Sequence, residues 1–217
     1  MVTLILIAVF FIVAFISWFM GLWSNMITLM VLTLSGLIAT NYYEPLAAWL
    51  DKPVIGGPAA INVMGEYTYL LDFIAFWAIL LICLLLFRGL TDLLSRHRVR
   101  FNQWVELAGR SVLAIWVAWL FVCLVAFSLQ LSPLPADAVQ ASPSGRMMLI
   151  GPDRIWLGFM QSRSRGALAR GKFTELPRHE DDAEKNTEPF DSNADLIYKY
   201  RSRRDTLDSV PGIRVPR

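Results

Sequence analysis

Apolar residues fall into long unbroken runs up to about residue 130 of the 217-residue chain, and polar residues dominate beyond it. No charged side chain occurs before Glu44. One continuous helix of that opening stretch would measure about 64 Å, roughly twice the hydrocarbon thickness of a bilayer. The stretch therefore predicts two crossings joined by a turn. Gly21-Leu22-Trp23-Ser24-Asn25 supplies the break, since Gly bends freely and Ser and Asn compete for backbone hydrogen bonds. Spans are expected at about 2–22 and 26–43, the second closing on Tyr42-Tyr43-Glu44-Pro45, an aromatic belt before a charge and a helix breaker. Leu46 to Leu50 read as a brief interfacial turn, and Pro53, Gly56, Gly57 and Pro58 mark a loop. Further apolar runs predict spans at about 70–90 and 108–129, and Pro133 and Pro135 close the body.

The fold class expected is an all-α integral membrane protein: four transmembrane helices, a short amphipathic helix and a largely disordered C-terminal tail. Its divisions are a membrane body over 1–130, a linker with the short helix over 131–174, and a polar tail over 175–217. Within the linker, Pro152-Asp153 resembles a helix start, and Ile155, Trp156, Phe159 and Met160 recur at helical spacing with Arg163 and Arg165 beyond. Such a helix suits a membrane surface, or docks on the protein's own loops. After Glu175 the composition favours disorder, with Leu196 to Tyr200 as a contact segment.

Composition agrees with this division: 55% of residues are hydrophobic and the mean hydropathy is +0.47. The net charge of +2 conceals an asymmetry, because 14 of the 20 Lys and Arg, and 12 of the 18 acids, follow residue 130. The opening lacks the basic start and small-residue cleavage site of a secretory signal, so it reads as an uncleaved anchor. Orientation follows from short loops. The loop between spans three and four carries Arg88, Arg96, Arg98, Arg100 and Arg110, whereas the loop between spans two and three has Lys52 as its one basic residue. The arginine-rich loop is expected in the cytoplasm, with both termini on the other side.

Chemistry is sparse. Arg88 and Asp92, and Glu106 and Arg110, stand four apart near one membrane boundary, each pair on one helix face. They form either a charged cluster at a substrate path or a set of snorkelling, topology-setting residues. Asp72, at the start of span three, lies where the interface hydrates it. Ser35 and Ala39 with Gly36, and Ala114 with Ala118, permit close helix approach within the chain or between copies. Cys83 and Cys123 fall inside spans, and His97 and His179 are isolated, so neither a metal site nor another cofactor is expected. Serines in the spans lack histidine partners, and Gly56-Gly57-Pro58 lacks the lysine of a phosphate loop. An enzyme is not expected. Arg201, Arg203 and Arg204 alternate with acids and read as a solvated run, so nucleic acid is not an expected partner. The expected partners are the lipid bilayer and, through helix packing, other membrane proteins or a second copy.

The small four-span body, the Gly turn after span one and the basic loop before span four resemble the colicin V production protein (CvpA) family over roughly residues 1–130. That family shows Gly-x-x-Arg-Gly after span one; here Gly21 matches and the arginine is missing, with Ser24 in its place. It shows a Gly- and Arg-rich pattern entering span four; here Asn102 to Arg110 keeps Gly109-Arg110 with altered spacing. The resemblance implies a non-enzymatic bacterial inner-membrane protein linked to toxin production or export and to envelope homeostasis. Two alternatives stand beside it. A small oligomeric channel or transporter subunit would use the stripe Asn25, Thr28, Leu32, Ser35 and Ala39. A membrane anchor would present the tail to a partner.

Overall fold

The computed structural model of the chain describes residues 2–50, 68–94, 102–132, 134, 139, 147–148, 150–164, 170–171, 187–188 and 196–209. Four long helices form the body: α1 (Val2–Phe19), α2 (Leu22–Leu50), α3 (Thr68–Leu94) and α4 (Gln103–Leu131). All four are long and apolar enough to cross a membrane. Two shorter helices follow, α5 (Pro152–Ser164) and α6 (Leu196–Ser209). Between them Arg170–Gly171 (β1) and Thr187–Glu188 (β2) pair as a two-residue antiparallel ladder.

The break between α1 and α2 is tighter than the five residues expected. Gly21 adopts a left-handed backbone (φ 81°), which an L side chain takes up only with strain, and α2 resumes at Leu22. Helix ends leave carbonyls without partners. Here the Ser17 carbonyl accepts from the Met20 N–H (3.0 Å) and also from the buried Asn25 Nδ2 (2.9 Å). A residue read as part of the break is thus the clamp across it, inside the first turn of α2.

α2 also runs through Pro45 to Leu50. The span expected to end at Tyr43 is the apolar part of a longer helix. At its far end α4 stops where the Ser132 hydroxyl takes the Leu129 carbonyl (3.0 Å), just before Pro133.

Despite that tight turn, α1 packs mainly along α4, and α2 packs along both α3 and α4. The N-terminal end of α4 sits in the fork between α1 and α2. Gly109 makes this possible: a Cβ there would lie 2.7 Å from Leu22 Cδ1. The shared core gathers Tyr43, Phe76 and Phe127, whose rings meet edge to face at 5.3 to 6.5 Å. Large apolar side chains such as Phe11, Phe15, Leu85 and Ile115 point outward.

Candidate functional site

Polar side chains concentrate in two layers at opposite ends of the body. The first surrounds the α1–α2 turn. Arg88, near the end of α3, donates to Ser24 Oγ (2.9 Å) and Thr28 Oγ1 (3.1 Å) on α2 and pairs with Asp92 Oδ2 (3.3 Å). A planar guanidinium fork suits this two-hydroxyl clamp. Glu106 and Arg110 share a face of α4, yet Arg110 turns to α1, its guanidinium carbon 4.3 Å from the centre of the Trp18 ring. Trp18 Nε1 donates to the neighbouring Ser111 Oγ at 3.2 Å. Glu106 instead lies over the turn, its Oε1 3.7 Å from where a Gly21 Cβ would stand. The structure brings Arg88, Asp92, Glu106 and Arg110 to one end of the body. Arg96, Arg98 and Arg100 lie outside the described residues.

The second layer lies about 24 Å away, the length of α3 between Arg88 and Asp72. Asp72 is not left to interfacial water: it is 8% exposed, and Tyr200 of α6 donates to its Oδ2 at 2.8 Å. Tyr200 Oη also stands 3.3 Å from Tyr43 Oη, and Lys199 pairs with Glu44 at 3.1 Å. Burial, and then the Asp72 carboxylate, hold the Tyr200 phenol well above its ordinary pKa. The Leu196–Tyr200 segment expected as a contact is the first turn of a helix with Leu196 and Tyr200 buried.

α5 completes this end. A turn with Met148 and Gly151 in left-handed conformations leads to Pro152, whose missing N–H costs nothing at a first helical position. Asp153, at the positive end of the helix dipole, accepts from Gln130 Nε2 of α4 at 3.0 Å. Trp156 is 1% exposed, and its Nε1 donates to Thr40 Oγ1 of α2 at 2.9 Å. The indole rests on Gly36, where a Cβ would come within 2.9 Å of both the ring and Leu124. α5 therefore docks on the long helices α2 and α4. Trp156 and Met160 face inward; Ile155, Phe159 and Arg163 face outward, with Arg163 stacked 5.7 Å from the Phe159 ring. Arg165 lies outside the described residues.

The small residues Ser35, Gly36, Ala39, Ala114 and Ala118 are all buried within the single chain. Among the described residues no three His, Cys, Asp or Glu gather as a metal site requires.

The model of the family described as Colicin V production protein matches residues 2–151. The chain belongs to this family. The match extends past the four-helix body to the turn that launches α5, further than the resemblance over 1–130. The two stretches that carried the resemblance meet in space: Leu22, after Gly21, packs on Gly109, and Arg110 on Trp18. Ser24, three residues after Gly21, receives the Arg88 guanidinium from α3. No curated protein and no solved structure matches the chain.

Proposed function

We propose that this colicin V production family member is a multi-pass protein of the bacterial inner membrane that supports production or export of a colicin V type toxin and, more broadly, envelope homeostasis, with no catalytic activity of its own. The family match over 2–151 carries the reading. The four apolar helices support its membrane setting, and positive charge in the loop after α3 supports placing the α1–α2 turn and that loop in the cytoplasm. The second polar layer and helices α5 and α6 then face the opposite side. The test is release of toxin peptide by cells lacking the protein. Lower release with normal synthesis, restored by the full chain, is expected; unchanged release would overturn the proposal.

One observation favours a channel or transporter subunit as a second reading. Asn25 Oδ1 and Ser35 Oγ, on the inward face of α2, are buried without a hydrogen-bond partner among the described residues. Buried polar atoms of this kind attract water or a passing solute. Solute flux through liposomes containing the purified protein, reduced by Ser35→Val, is what this reading requires. The anchor reading is separated by removing residues 165–217, which leaves α5 in its groove. An anchor loses all function on that truncation, whereas a working body keeps some.

A further inference from the structure

We infer that α5 is a half-inserted helix whose outward edge, formed by Ile155, Phe159 and Arg163, lies among the acyl chains and phosphates of phospholipids in one leaflet. The inference rests on the reading that α1 to α4 span a bilayer.

Depth carries the argument. Tyr43, Glu44, Asp72 and Lys199 mark the polar level at this end of the body. Gly36 lies seven residues inward of Tyr43 along α2, and Leu124 seven inward of Leu131 along α4, so both stand about 10 Å below that level. The Trp156 indole touches both places. A helix held by its tryptophan at that depth lies at the deep end of the roughly 5–10 Å to which interfacial helices sink their apolar faces, which brings the flanks of the helix level with the acyl chains.

The outward face has the composition this position demands. Its exposed residues 155, 158, 159, 162 and 163 are Ile, Gly, Phe, Ser and Arg, one charge where a water-facing helix carries several. Ile155 is 44% and Phe159 37% exposed, Phe159 lying against the Trp156 ring on one side and the Arg163 guanidinium on the other. The one acid of α5, Asp153, is turned inward onto Gln130, so no carboxylate on this face repels a lipid phosphate. Arg163 has the long stem and charged head of a side chain that reaches from acyl chains to a phosphate. Like the outer faces of α1 and α3, this edge presents large apolar side chains outward.

Spin labels at Ile155→Cys, Phe159→Cys and Ser162→Cys, in full-length protein with Cys83 and Cys123 replaced by alanine, test this in phosphatidylethanolamine–phosphatidylglycerol vesicles. Phe11→Cys and Leu85→Cys, on the outer faces of α1 and α3, serve as span controls. Labels at 155 and 159 are expected to relax with oxygen rather than with a water-soluble nickel chelate, as the controls do, with the preference shifting toward nickel at 162. Nickel access at 155 and 159 with oxygen access at the controls would overturn the half-inserted helix and leave the spans intact. Spin–spin broadening at 159, with neither reagent reaching it, would assign the face to a second copy of the chain and also overturn the proposal. Nickel access at the controls would overturn the membrane reading and the inference together.

Discussion

Tyr200 and Asp72, 128 residues apart in sequence, share a 2.8 Å hydrogen bond that ties the last helix to the start of α3. A bond to a charged acceptor contributes about 1.5–3 kcal/mol. Tyr200→Phe keeps the packing of the ring and removes the bond, so it should loosen α6 by an amount in that range. The measurement is limited proteolysis after Lys199 or Arg201, accelerated in the variant while the four-helix body stays protected. Equal rates would show that the bond does not hold α6.

The same tyrosine makes the contact sensitive to alkali. Its phenol is held above the ordinary value of 10.0 by burial and by Asp72, so the docked state binds its proton more tightly than the released one does. The stabilisation is fully present below about pH 10 and is lost as pH rises from there toward the docked-state value. Detachment of α6 should therefore increase above about pH 10 in the native chain. Tyr200→Phe, which cannot ionise, should show no such rise from this position.

Gly36 and Trp156 form a fitted pair. Gly36→Ala places a methyl within 2.9 Å of the indole and of Leu124, and such overpacking costs about 1–3 kcal/mol. Trp156→Ala empties the groove at about 3–5 kcal/mol. Both should raise labelling of a cysteine introduced at buried Leu157. Trp156→Phe, which loses the bond to Thr40 and keeps most of the ring, should fall between wild type and Trp156→Ala.

Arg88 is predicted to act as a clamp between α2 and α3. Arg88→Lys keeps the charge and loses the fork that spans Ser24 and Thr28, so it should recover little of the thermal stability lost in Arg88→Ala. Replacing Arg88 and Arg110 together separates a clamp and topology role from a substrate gate. Inverted insertion, with activity kept by the correctly inserted fraction, would rule out the gate.

The long helices were legible because each apolar run is as long as a span must be, and the turn because Gly21 stands between two such runs. Their pairing was not. The spans are apolar nearly all round, so their sequences carry no face that shows α1 turning to α4 instead of α2. The signal that did exist was small: Gly109 and Gly36 are the points where backbones and an indole come close, and glycine in an apolar helix reads equally as packing within or between chains. Asp72 looked hydrated because its cover is a tyrosine 128 positions away, in a tail whose charges suggest disorder. Leu196 and Tyr200, four apart, were the one trace of a buried helical face there. The helical spacing of the α5 stripe is legible in the sequence, but hydropathy does not distinguish an inward tryptophan from a lipid-facing one.

Labelling of single cysteines by a membrane-impermeant reagent tests the four-crossing arrangement most directly. Positions Ser95, which follows the last residue of α3 in sequence, and Tyr198, on the exposed side of α6, suffice, in a chain whose own two cysteines are replaced. In intact spheroplasts Tyr198→Cys should label at once and Ser95→Cys only after the membrane is opened. Labelling of both from the same side, or recovery of the full chain in the aqueous fraction without detergent, would contradict the account.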